Sequence, residues 1–157
     1  MTDESIPDKE GVMRLRRLMK PGRTVHAHCH VPCGIYDPVF AQNAAETVEK
    51  MVTQLLELEA PGPDASDADR VAFSQAVTRR VENKEEHAKK VKYELLDVLW
   101  TQYFKPAHVE RWPDLHDRFF TAGHLATQNM QEISAEKAKA LRDVVDEIAA
   151  IFHESKK

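Results

Sequence analysis

Both cysteines of this chain and three of its eight histidines fall in one short stretch, His26-Ala27-His28-Cys29-His30-Val31-Pro32-Cys33-Gly34-Ile35-Tyr36-Asp37-Pro38. Pro32 fixes φ beside one thiol, and Gly34 frees the backbone after it. Cys29 and Cys33 can therefore turn toward one point within a single short loop. Thiolates combined with nitrogen donors select late first-row ions: a flat set of four donors suits Ni(II) or Cu(II), a tetrahedral set suits zinc. The spacing alone also allows a redox-sensing dithiol, or a tetrahedral zinc site built from His26, Cys29, His30 and Cys33. Because cysteine binds metal as thiolate, any bound cation competes with protons, and binding weakens as pH falls.

A second stretch far downstream narrows these choices. The pattern H-C-x-x-P-C-G-x-Y from His28 to Tyr36, together with Asp97-Val98-Leu99-Trp100-Thr101-Gln102-Tyr103-Phe104-Lys105-Pro106, resembles the nickel-containing superoxide dismutases. A looser likeness continues from Asp37 to the end of the chain. The resemblance implies that residues 1–27 are a removable leader, that 28–157 is the enzyme domain, and that His28 is the first residue of the mature chain. It further implies nickel held by Cys29, Cys33 and His28, the last through its new terminal amine and its imidazole, with the Cys29 backbone amide as a further donor. Superoxide anion would be the substrate, disproportionated to dioxygen and hydrogen peroxide. Tyr36, Tyr103 and Lys105 match family residues near the metal or on the approach route, and a homohexamer and a leader-processing protease are implied as partners.

The likeness breaks at some positions. In the family a carboxylate from the first helix and an arginine from the second position the axial imidazole; the matching places here are Ala44 and the His87/Ala88 region. Glu46, Glu86 and Arg80 are substitutes within the sequence. His30 stands where relatives often carry Asp, Gln or another polar residue, and reads as a variable neighbour of the metal loop. His108, His116, His124 and His153 are scattered and suit surface or helix-end positions.

The rest of the chain must hold this loop. A length of 157 residues with 42% hydrophobic side chains fits one domain with one core. With only two cysteines, a disulfide framework is not the design. A formal charge of −4 argues against a nucleic-acid-binding surface. No apolar run approaches the roughly 18 residues that cross a bilayer. Residues 1–27 carry 6 basic and 4 acidic side chains, including Arg14, Arg16, Arg17, Lys20 and Arg23, so their removal shifts the formal charge to −6. Val25-His26-Ala27 has the small-residue look of a signal-peptidase site, but no apolar core precedes it. The leader therefore reads as cytoplasmic, and the enzyme as cytoplasmic with it.

After the loop, Asp37-Pro38 signals a helix start. Ala41, Ala44, Ala45, Val48, Met51, Val52, Leu55 and Leu56 then recur at three and four, predicting a helix to about Glu59. Ala60-Pro61-Gly62-Pro63 breaks the chain. Ser66, Asp67 and Asp69 open a second, longer helix whose inner side runs through Val71, Val77, Val81, Ala88, Val91, Leu95 and Val98 toward Phe104. Its polar middle, Thr78 to Lys90, allows a kink. Lys105-Pro106 ends it. Trp112-Pro113-Asp114 opens a third helix with Leu115, Phe119, Ala122, Ala126 and Met130 inward, and Ser134 caps a fourth with Ala138, Leu141, Val144, Val145, Ile148, Ile151 and Phe152 inward. The prediction is all-α: an antiparallel four-helix bundle with an N-terminal metal-binding hook. A non-catalytic zinc- or nickel-binding helical bundle that keeps its leader is the alternative function.

Overall fold

The computed structural model describes residues 34–157. The leader, His28, Cys29, His30 and Cys33 lie outside the described residues. Four long helices form the body: α1 (Val39–Leu56), α2 (Asp67–Lys92) continued by a π-helical segment (Tyr93–Tyr103), α4 (Leu115–Gln131) and α5 (Ala135–Ser155), with a short α3 (Pro106–Arg111) between the second and third. α1 packs on α2 and α5, and α4 packs on the same two, giving an antiparallel bundle. There is no strand among the described residues.

The caps arise where local chemistry demands them. Asp37 accepts the Val39 amide at 2.9 Å, so the hook passes into α1 through a fixed turn. Ser66 and Asp69 exchange side-chain and backbone bonds at the start of α2. This holds the Asp69 carboxyl below its usual range. Ser134 accepts from the Lys137 amide at the start of α5. The third long helix starts at Leu115, two residues beyond Pro113, and Asp114 there holds Arg118 instead of capping an amide.

Packing follows the predicted stripes with informative departures. From α1 the small side chains Ala41, Ala44, Ala45, Val48 and Val52 are buried, and the bulk of the core comes from Leu95, Leu99, Phe119, Leu141, Ile148 and Phe152. Burying one such large side chain contributes about 1.5–3 kcal/mol, so these positions dominate the stability of the bundle. Leu56 and Val71, predicted inward, are 58% and 67% exposed. The face of α2 toward Met51 and Gln54 is formed by Ala72, Gln75, Ala76 and Asn83, leaving Val71 on the outer side.

The polar middle of α2 contains no helix break; it sends a lysine inward. Lys84 is 2% exposed, and its ammonium donates to the carbonyls of Asn129 and, at 2.9 Å, Glu132. These are carbonyls at the C-terminal end of α4, where the helix dipole favours a cation. Burial pushes the Lys84 ammonium below the usual lysine range, opposed by the nearby Glu85 and Glu132 carboxylates. Asn129, fully buried, donates to the Leu125 and Lys137 carbonyls and ties α4 to α5.

The irregularity comes later, at the other end of α2. From Tyr93 the chain winds more widely, and the Phe104 amide donates to the Leu99 carbonyl five residues back. Thr101 Oγ1 and Gln102 Nε2 both donate to the Asp97 carbonyl at 2.6 Å. Phe104 and Lys105 are then extended, as a following proline requires, and α3 begins at Pro106. Wide turns of this kind occur often at functional sites.

Candidate metal centre

The chain enters the described region at Gly34, directly after Cys33, with φ +97°. A Cβ at this position would meet nothing, so the glycine is required by backbone conformation and not by space. Two residues on, Tyr36 is buried at 8% exposure. Loop, turn, buried tyrosine and capped helix thus follow in immediate succession, which ties the end of the cysteine loop to the bundle.

Tyr103, at the last turn of the π-helical segment, comes to the same place. Its ring centroid lies 5.7 Å from that of Tyr36, at 59° between planes. Phe152 packs on it at 4.5 Å and Phe104 meets it edge-on at 5.1 Å. His108 stacks on it at 5.7 Å and 11°. The hydroxyl of Tyr103 sits 2.6 Å from Ser155 Oγ. The predicted pair of tyrosines is therefore brought together at the end of the bundle from which the hook leaves.

Lys105 is exposed, and its ammonium donates to the Gln102 carbonyl at 2.9 Å, at the end of the helical segment. This is the helix-terminus placement the sequence allowed, and it keeps a fixed positive charge two residues from Tyr103. The Lys105 amide donates to His108 Nδ1 at 2.9 Å, which makes that nitrogen the acceptor. His108 is at a helix end, as expected of it, but it is also part of the aromatic wall around Tyr103. Among the described residues no group of three His, Cys, Asp or Glu side chains could hold a metal ion, and His116, His124 and His153 are exposed.

The positions that depart from the family pattern have become core. Ala44 is 2% and Ala88 0% exposed. The suggested substitutes lie elsewhere: Glu46 is exposed and faces Arg142, Glu86 is exposed, and Arg80 donates to Gln54 and to the Ala76 carbonyl near the opposite end of α1. Ser155 and Lys156 are functional candidates with no signal in the sequence. Lys156 Nζ lies 3.3 Å from the Tyr36 carbonyl and 4.1 Å over the Phe152 ring.

The expected donors His28, Cys29 and Cys33, thiolates with nitrogens, would suit a late first-row ion such as nickel. The described surroundings fit the same reading: a glycine turn directly after the second thiol and two tyrosines closing on the exit of the loop.

Residues 23–156 match the family model described as nickel-containing superoxide dismutase. The superoxide dismutase [Ni] of Streptomyces coelicolor is 34% identical over 151 residues, covering 91% of this chain and 98% of that one. The same enzyme of Streptomyces seoulensis is 36% identical with the same coverage. The 1.30 Å native structure of nickel superoxide dismutase aligns with a TM-score of 0.68 at 30% identity, over 83% of this chain and 100% of that one. A D3A variant of nickel superoxide dismutase aligns with a TM-score of 0.68 at 28% identity.

Proposed function

The chain belongs to the nickel-containing superoxide dismutases, an enzyme family whose cofactor is nickel, and from that premise we propose how its own residues divide the work. Residues 1–27 are a leader removed by a protease, and cleavage between Ala27 and His28 creates the active chain. The His28 amine and imidazole, the Cys29 amide and thiolate, and the Cys33 thiolate then hold the nickel. When bound, nickel would supply one-electron redox chemistry between its III and II states.

The remaining residues deal with charge and protons. The balance 2 O₂⁻ + 2 H⁺ → O₂ + H₂O₂ consumes two protons per cycle, so water must be held beside the reacting anion. Tyr36 narrows the approach and orders that water or the anion itself, and Tyr103 stands beside it on the approach route. Lys105 offers a local positive charge on a mature chain of formal charge −6. Charges more than about 8 Å away are screened at physiological salt, so the nearby ammonium outweighs the net sign. The enzyme works in the cytoplasm as a homohexamer.

The observation that carries this reading is the meeting of Tyr36 and Tyr103, from the two separate stretches of the resemblance, at the exit of the cysteine loop. The test is intact mass with metal analysis on protein purified from its own host. Nickel on a chain starting at His28 is the expected result. Zinc on a full-length active chain would defeat the proposal and favour a metal-binding bundle that keeps its leader.

A further inference from the structure

We infer that Ser155, in the last turn of α5, is a positioning residue for Tyr103 that commits its phenolic proton and leaves its oxygen as a hydrogen-bond acceptor. This rests on the role proposed above for Tyr103.

The direction of the bond follows from counting protons. Ser155 has one hydroxyl hydrogen, and Oγ lies 2.7 Å from the Phe152 carbonyl, a group that can only accept. That hydrogen is spent there. The 2.6 Å contact between Ser155 Oγ and the Tyr103 hydroxyl must then be donated by the tyrosine. A serine bonding back to a carbonyl three residues earlier is ordinary helix chemistry. It does not by itself require a phenol on the other side of the same oxygen.

The ring is held so that this bond sets the aim of the hydroxyl. Phe152, Phe104 and His108 pack around it. The Lys105 amide fixes His108 in turn. Lys156, the next residue along, reaches the Tyr36 carbonyl from the same turn of α5. One turn of one helix thus touches both tyrosines: Ser155 at a side-chain hydroxyl, Lys156 at a backbone carbonyl. A phenol oxygen whose proton is committed can receive a hydrogen bond from water or from a protonated product. It does not present a donor to superoxide while that bond stands.

The test uses the mature nickel-loaded enzyme in its reduced state, labelled with ¹³Cζ-tyrosine, as Ser155→Ala, Ser155→Thr, Tyr103→Phe and the Ser155→Ala/Tyr103→Phe double variant. Ser155→Ala should shift the Tyr103 resonance and slow dismutation about fivefold, the worth of one neutral hydrogen bond. Ser155→Thr should restore both, and Ser155→Ala should slow nothing further in the Tyr103→Phe background. An unmoved resonance in Ser155→Ala overturns the inference. So does a wild-type rate in Ser155→Ala while Tyr103→Phe is slow, or a Ser155→Ala loss that persists undiminished in Tyr103→Phe. A wild-type rate in Tyr103→Phe alone strikes at the role of the tyrosine itself, and is thereby separable from failure of the serine.

Discussion

The two ends of the bundle are closed by opposite means. At one, a buried ammonium, Lys84, binds the terminal carbonyls of α4, and Asn129 ties α4 to α5. At the other, aromatic rings from three elements surround Tyr103 beside Tyr36, and the helix leading there is unwound into a π-helical segment. The first end satisfies backbone groups with a charge that has little else to do. The second takes on irregular winding and hydroxyl-bearing rings where an apolar plug would have packed as well. The far end is closed by hydrogen bonds to backbone carbonyls, the near end by packed rings beside Tyr36.

Five experiments put that contrast to the test. Replacing Cys29 or Cys33 by serine should abolish nickel binding and dismutase activity altogether, while circular dichroism shows the helices unchanged. Loss of helix in either variant would make the loop part of the fold. Lys84→Met should do the reverse: by stranding buried carbonyls it should lower stability by about 1–3 kcal/mol in urea unfolding, with nickel content and rate preserved. An activity loss at unchanged stability would refute the division of labour.

Gly34→Ala forces a side chain into left-handed backbone and should cost about 1 kcal/mol or more. Because nothing crowds the position, the cost should appear in nickel affinity, read by competition with a chelator, before it appears in the urea midpoint. The smallest effect belongs to the cap of α2. Hydrogen bonds from Ser66 hold the Asp69 carboxyl below the usual carboxylate range in the folded chain. Its contribution is therefore complete above the unfolded value and is lost as pH falls through the lower folded one. Asp69→Asn should flatten the acid side of the stability profile there. The Cys29 and Cys33 thiolates should release nickel at higher pH than that, as metal analysis across a pH series would show.

The sequence made the helices legible because their signals are local. Ser66, Asp69 and Ser134 cap the helices they were expected to cap, and Lys105-Pro106 stops the one it was expected to stop. Facing was less legible. Val71 fits an apolar stripe, yet it is exposed while Arg80 and Asn83 of the same helix reach Gln54 and Met51 of α1, and only the packed neighbour decides between such faces. Lys84 could not be foreseen, since a lysine in a polar run looks solvated until the carbonyls of another helix are placed beside it. The wide turns after Lys92 have no glycine or proline to announce them. Tyr36 and Tyr103 were paired by resemblance and not by chemistry, and Ser155 carried no signal of any kind.

The winding between Tyr93 and Tyr103 also makes chain length a control on aim. In an ordinary helix each residue turns the next by about 100°, so deleting one residue upstream of Leu99 would swing Tyr103 off its contact with Phe152 even if every hydrogen bond re-formed. The linker between Leu56 and Asp67 carries no such winding, although Arg70 holds its Gly62 and Pro63 carbonyls. Insertions there should be tolerated far better than a single-residue deletion in the wide turns, which would turn buried Val98 and Leu99 out of register together with Tyr103.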